Sequence, residues 1–228
     1  MHDIFEKWIN SYPESMRCEF HRDGIIDPVV FSNEKIKMLY VVKEPNSKNG
    51  NYNKYKGVDL RKIWGEICLK KPFDYNIARW SKIVCDNVDV GYSFPWTEVA
   101  ETMRRVAIIN LKKIAGSGSE DREEVALYAF KDRKFLREQI LDINPSVILA
   151  CGKDGFVARM VWRIMNDEIC CPVGSADSFS VVVNERTIPV FSVFHPSLRL
   201  KKQEEAAAAM ISNISKRLKK GDLLKKDT

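Results

Sequence analysis

The sequence predicts a three-layer α/β domain with a central, mostly parallel, four-stranded sheet flanked by helices. Two patterns predict it. Four runs of strand length, Ile36 to Val42, Val106 to Asn110, Val147 to Cys151 and Ile188 to Phe194, are apolar nearly throughout instead of alternating. Strands buried on both faces read that way. The segments between them carry helical spacing, and strands that alternate with helices build parallel sheets.

Taken in order, Ile4 to Ile9 has the spacing of a short amphipathic helix that stops near Pro13. The first buried strand, Ile36 to Val42, runs into a polar loop of Asn, Lys, Tyr and Gly from Lys43 to Gly57. Helical spacing returns over Asp59 to Leu69, with Leu60, Ile63, Trp64 and Ile67 on one face, and over Asp74 to Cys85. Val106 to Asn110 is the second strand, Gly116 to Ser119 a turn, and Glu123 to Leu141 is helical as one helix or two. Pro145 precedes the third strand, Val147 to Cys151, and Gly152 separates it from a helix over Asp154 to Met165. Val181 to Val183 and Ile188 to Phe194 read as a hairpin that feeds a core strand, and the closing helix spans Gln203 to Leu218. The expected organisation is one domain over residues 1–228, with its core over 36–200 and an N-terminal helix and a basic C-terminal helix packed on it.

The chain has 228 residues, enough for one domain with a substantial core. Its 45% apolar and 30% charged content is that of an ordinary globular protein. The formal net charge is +6, and the excess gathers at the end. From Lys201 onward eight basic residues face four acidic ones, which suits either a polyanion partner or a solvated helical tail. Six cysteines occur without a Cys-x-x-Cys pair, and Cys170 and Cys171 are adjacent, an awkward geometry for a shared disulfide or metal. Cys151 lies in an apolar run and is expected in the core. The sequence carries no signal peptide and no apolar run near 18 residues. A cytoplasmic protein with reduced thiols and no membrane segment is therefore expected.

Parallel sheets collect ligands beyond the carboxyl ends of their strands. The residues there are Lys43-Glu44-Pro45-Asn46, Asn110-Leu111-Lys112, Gly152-Lys153-Asp154 and His195-Pro196-Ser197-Leu198-Arg199. A carboxylate, an amide and an imidazole thus face one cleft: groups for base chemistry, for hydrogen-bond readout and for stabilising an anion. Pro196 stiffens the last loop and keeps His195 extended. Plainer roles exist for each residue. Glu44 serves equally as a solvated loop acid, Asn110 as a turn cap, His195 as a structural histidine, Ser197 as a helix cap and Leu198 as a contact of the next helix. Ala115 to Ser119 lacks the Gly-Lys-Ser/Thr ending of a phosphate-binding loop.

Three strand ends in this order resemble the uracil-DNA glycosylase superfamily. The carrying residues are Val41-Val42-Lys43-Glu44-Pro45-Asn46, Ala107-Ile108-Ile109-Asn110 and His195-Pro196-Ser197-Leu198-Arg199, and the apolar strand ending at Gly152 also fits. The resemblance covers residues 36–200. It implies a monofunctional DNA glycosylase that flips a base from the duplex and hydrolyses its N-glycosidic bond without metal or cofactor. DNA is then the partner and the protein a monomer. Glu44 would orient water and offset positive charge on the sugar, and His195 would donate to the leaving base. Asn110 would read the base edge, with Asn46 beside it. Tyr52 and Tyr55 are candidates for stacking on the base, because the family has an aromatic after its first motif. Ser197 and Arg199 would contact phosphate, Leu198 would fill the gap left by the flipped nucleotide, Lys112 and Lys113, just after Asn110, would touch phosphate, and Lys153 would contact the DNA.

The departures bear on substrate. Lys43 replaces a small or amide residue, Glu44 is longer than the Asp of the uracil-specific branch, and Asn46 stands where Tyr or Gly is usual. A pocket without that Tyr admits a base larger than uracil, which suggests a modified pyrimidine, in DNA repair or in defence against phage DNA. The four-cysteine pattern of the iron–sulfur branch is missing, so no cluster is expected. Two other readings compete: a non-catalytic DNA-binding member of the same fold, and an unrelated metal-dependent nucleotide hydrolase. The second is disfavoured because Glu44 is the sole acid between residues 43 and 57.

Overall fold

The four apolar runs form four parallel strands at the centre of one sheet. In the computed structural model, which describes residues 2–45, 57–67, 71–92, 94–116, 121–152, 154–168 and 178–220, the strands are β1 (Gly24–Ile25), β2 (Met38–Val42), β3 (Ala107–Asn110), β4 (Val147–Cys151), β5 (Ser178–Val183) and β6 (Arg186–Val193). Their order is β1-β3-β2-β4-β6-β5. Strands β3, β2, β4 and β6 run parallel, with Val42 beside Asn110 and Cys151 beside Val193. The expected four-stranded sheet is thus a six-stranded mixed one. The two additions are antiparallel edges: β1 on β3, and β5 on β6. The β5–β6 link is tight because Asn184 and Glu185 both take positive φ (47° and 65°), the geometry of a two-residue hairpin turn. On β5 Phe179, Val181 and Val183 pack inward while Val182 faces out, the alternation of a half-covered edge.

Successive side chains of a strand point to opposite faces, and here both faces are covered. Leu39 and Val41 of β2, with Ile148 and Ala150 of β4, join one apolar layer. Met38, Tyr40 and Val42, with Leu149 and Cys151, join the other. This double burial is why the strands read as unbroken apolar runs. The helices are α1 (His2–Asn10), α2 (Glu14–Arg17), α3 (Pro28–Ser32), α4 (Leu60–Lys62), α5 (Pro72–Cys85), α6 (Val99–Met103), α7 (Arg122–Lys131), α8 (Arg133–Ile143), α9 (Phe156–Asn166) and α10 (Lys201–Lys220). Helices α1, α7, α8 and α9 cover the first face, and α5, α6 and α10 the second.

The single helix expected from Asp59 begins as α4, capped by Asp59, and widens into a π-helical turn over Ile63–Ile67. The helical stretch expected over Glu123 to Leu141 is two helices, broken at Asp132, whose carboxylate is hydrogen-bonded to the buried Tyr12 hydroxyl. Helix α10 starts two residues earlier and ends two later than its spacing predicts. No helix among the described residues is long and apolar enough to cross a membrane.

Candidate functional site

Pairing continues past the strand ends and draws the exit loops of β2 and β3 together. Leu111 N donates to Val42 O (2.9 Å), Lys112 N to Lys43 O (2.9 Å), and Gly116 N to Pro45 O (3.0 Å). Glu44 and Lys112 therefore meet, and Lys112 Nζ donates to Glu44 Oε2 at 3.0 Å. The same ammonium pairs with Glu124 Oε2 of α7 at 2.7 Å and lies 5.2 Å from the centre of the Tyr128 ring. The Lys112 side chain is only 2% exposed, so the charge expected on a phosphate is turned inward to two carboxylates. Burial pushes the Glu44 carboxyl above its ordinary range, and the hydrogen bond and charge of Lys112 only partly oppose it. Lys112 itself is held up: the bonds to Glu124 and Glu44 outweigh the burial that pushes it down. Gly116 closes the other side, where a Cβ would come within 1.9 Å of Glu44 Oε1.

Asn110 is turned into the protein. Its backbone N and its Nδ2 both donate to Asp23 Oδ2, at 2.8 and 2.9 Å, and the residue is 2% exposed. The other oxygen, Asp23 Oδ1, accepts from Lys113 Nζ (2.6 Å) and from Gln139 Nε2 (3.0 Å), while Gln139 Oε1 accepts from Lys113 Nζ (2.9 Å). Asp23 and Lys113 are both fully buried, and Lys113 Nζ lies 4.8 Å from the centre of the Trp8 ring. Lys113, expected near phosphate, is thus a core cation. Burial pushes it below its ordinary range, against the pull of Asp23.

The His195 loop follows β6 and is held from both sides. Ser197 N donates to His195 Nδ1 at 3.2 Å, which leaves the ring hydrogen on Nε2. Asn76 of α5, itself buried, donates from Nδ2 to Pro196 O at 2.8 Å. Phe73, also on α5, lies 6.2 Å from His195, and Trp64 stacks 6.2 Å beyond it. Ser197 and Arg199 are exposed, as a phosphate contact requires. Leu198 packs half-buried against the apolar layer under α5 and α10, and Leu200 is the projecting apolar residue, 62% exposed.

Glu44, Asn110 and His195 all lie at the carboxyl ends of one parallel set of strands, Glu44 and Asn110 at the adjacent β2 and β3 and His195 beyond β6, with β4 between. The structure gives each a supporting residue that spacing did not single out: Glu124 behind Lys112, Asp23 for Asn110, and Asn76 for His195. Asn46, Tyr52, Tyr55 and Lys153, the remaining expected site residues, lie outside the described residues. Cys151 is buried in the core as its setting predicts, while Cys18 and Cys85 are free thiols. Among the described residues no group of three or more His, Cys, Asp or Glu side chains is placed to hold a metal ion. The fold and edge define an α/β protein with polar and charged residues at the carboxyl ends of its parallel strands. No protein-family model matches the chain, and no curated protein matches it. Any reading of function consequently rests on the strand-edge residues themselves.

Proposed function

We propose that the protein is a monofunctional DNA glycosylase, which takes a modified or damaged base out of DNA and hydrolyses its N-glycosidic bond. The observation that carries this reading is the position of Glu44, Asn110 and His195 at one carboxyl edge of the parallel strands, with Glu44 bonded to buried Lys112, Asn110 to buried Asp23 and the Pro196 carbonyl next to His195 to buried Asn76. A carboxylate buried enough to be pushed up, yet paired with Lys112, suits a group that accepts a proton from water. In the proposed step a water beside Glu44 attacks C1′ of the sugar as the C1′–N bond breaks. The electron pair of that bond stays on the base, and Glu44 takes the proton of the water and offsets positive charge on the sugar. His195 Nε2–H donates to the base oxygen on which negative charge collects. The base then leaves, taking up a proton from solvent.

Asn110, held by Asp23, is the candidate reader of the base edge. Ser197 and Arg199 are exposed on the β6 exit loop for the phosphates, and Leu200 is better placed than Leu198 to enter a gap in the stack. Lys43 and Asn46, where the uracil-DNA glycosylases that the sequence resembles carry other residues, favour a modified pyrimidine over plain uracil. The test is incubation with duplexes and single strands that carry uracil or modified pyrimidines, followed by alkali to cut at abasic sites. Cleavage at a modified pyrimidine is expected. Release of uracil alone removes the substrate assignment, and no release from any DNA removes the glycosylase reading.

One observation favours a second reading, a non-catalytic DNA-binding member of the same fold. Asn110 is almost wholly buried and its amide donates to Asp23, as a structural residue would. The variants Glu44→Gln and His195→Ala separate the two: an enzyme loses turnover while keeping DNA affinity, whereas a binding module has no turnover to lose.

A further inference from the structure

The carboxylate assigned to water does not have its cation to itself. Lys112 Nζ is shared between Glu44 Oε2 at 3.0 Å and Glu124 Oε2 at 2.7 Å. Its stem is buried, its backbone N is bonded to Lys43 O one residue before Glu44, and its head lies against the Tyr128 ring. The ammonium is therefore fixed relative to the Glu44 peptide. Glu124 differs from Glu44 in exposure: it sits in the first turn of α7, its backbone N bonded to the capping Asp121, with its side chain 43% exposed.

We propose that Lys112 is the positioning residue for Glu44, fixing the direction of its carboxylate and balancing its charge, and that Glu124 sets how much of the ammonium Glu44 receives. The catalytic meaning of this arrangement rests on the glycosylase reading above. Among the described residues, the charged groups that bear most on Glu44 are Lys112 from the β3 exit, and Glu124 and Asp121 from the start of α7. Lys43 adjoins it in the chain, and the Gly116 backbone packs against it. With the two glutamates ionised, Lys112, Glu44 and Glu124 carry one positive and two negative charges. Full neutralisation of Glu44 would blunt its effect on a positive sugar, and isolation in a half-buried setting would favour its protonated form. One ammonium shared by two acids avoids both. Burial and the two neighbouring acids push the Glu44 carboxyl up while Lys112 holds it down, so the two partners act in opposite directions.

That opposition gives a signature which loss of packing does not mimic. The full-length protein, labelled with 13C at glutamate carboxyls, is titrated by NMR, and the Glu44 resonance is identified by its loss in Glu44→Gln. Lys112→Met is expected to raise the Glu44 midpoint by about one pH unit or more. Lys112→Arg restores it most of the way, and Glu124→Gln lowers it. The acid limb of kcat/KM moves in the same directions. A midpoint unchanged in Lys112→Met, or moved the same way by both substitutions, overturns the proposal. If Lys112→Met does not fold, the substitution at the more exposed Glu124 decides it: the midpoint must fall. Midpoints that move as expected in a protein that releases no base from any DNA uphold the role of Lys112 and remove the glycosylase reading instead.

Discussion

Asp23→Asn is the most informative single perturbation of the fold beneath the site. The carboxylate accepts four hydrogen bonds, two at each oxygen, from Asn110 N and Nδ2 on one side and Lys113 and Gln139 on the other. An amide of the same shape keeps one acceptor oxygen and sets an NH2 against the other pair of donors. It also leaves the Lys113 ammonium without its counter-charge in a fully buried position. Breaking a buried ion pair by removing one partner costs roughly 3–5 kcal/mol. That is a large share of the 5–15 kcal/mol that typically separates folded from unfolded chains. Urea unfolding followed by tryptophan fluorescence is the assay, and Trp8 beside Lys113 reports locally. With a slope of about 2–3 kcal/mol/M, the midpoint should fall by roughly 1–2 M at unchanged slope. Adding Lys113→Met removes the stranded charge, so the double variant should be less destabilised than the sum of the singles by about 1–3 kcal/mol. A loss below about 1 kcal/mol in Asp23→Asn, or additivity of the two changes, refutes the reasoning.

Other expectations concern the site itself. Gly116→Ala places a Cβ within 1.9 Å of the Glu44 carboxylate, which must swing away from Lys112 while the backbone around it stays in place. Turnover should therefore drop by tenfold or more while the melting temperature moves by only about 2–4 °C, readable from single-turnover rates and a thermal melt. Asn76→Leu leaves Pro196 O without its buried donor and should cost about 1–3 kcal/mol in denaturant unfolding, with a loss of turnover as the His195 loop loosens. Leu200→Ala should weaken DNA binding with little change in stability, whereas Leu198→Ala, half-buried, should lower stability; fluorescence anisotropy and melting separate the two. The Glu44 carboxyl is raised in the folded state, so its ionised form opposes folding: that penalty is absent below the unfolded value and appears as pH rises through the folded one. Glu44→Gln should accordingly be no less stable than the parent at pH 7, and any advantage should shrink as pH falls through the carboxylate range.

The parts of this molecule that sequence makes legible are those where burial imposes a pattern. Strands β2, β3, β4 and β6 are legible because both faces are covered, and the apolar run Val147 to Cys151 coincides with β4 to the residue. Strand β1 has two residues, too few to carry any period, and exists by pairing with Ile108 and Ala107. The π-helical turn at Ile63–Ile67 keeps the apolar face of a helix, so its wider winding leaves no mark in the spacing. At the site, Glu44, Asn110 and His195 were found because topology puts strand ends together. Asp23 and Gln139 were not, because the partners of Asp23 stand 87 to 116 residues away, Gln139 and Lys113 are 26 apart, and a buried polar contact leaves no local pattern. Lys112 and Lys113 read as a basic pair on the surface. Folding directs one to Glu44 and Glu124 and the other to Asp23, inside the protein.

The central claim is that the strand edge breaks the bond between base and sugar, with Glu44 acting on water. It is tested most directly by measuring free base released in a single turnover from DNA carrying a modified pyrimidine, with the parent protein and Glu44→Gln compared at equal DNA occupancy. The account predicts release by the parent, a rate lower by about 10²-fold or more in the variant, and DNA affinity little changed. Release at the same rate by both proteins, or by neither, contradicts it.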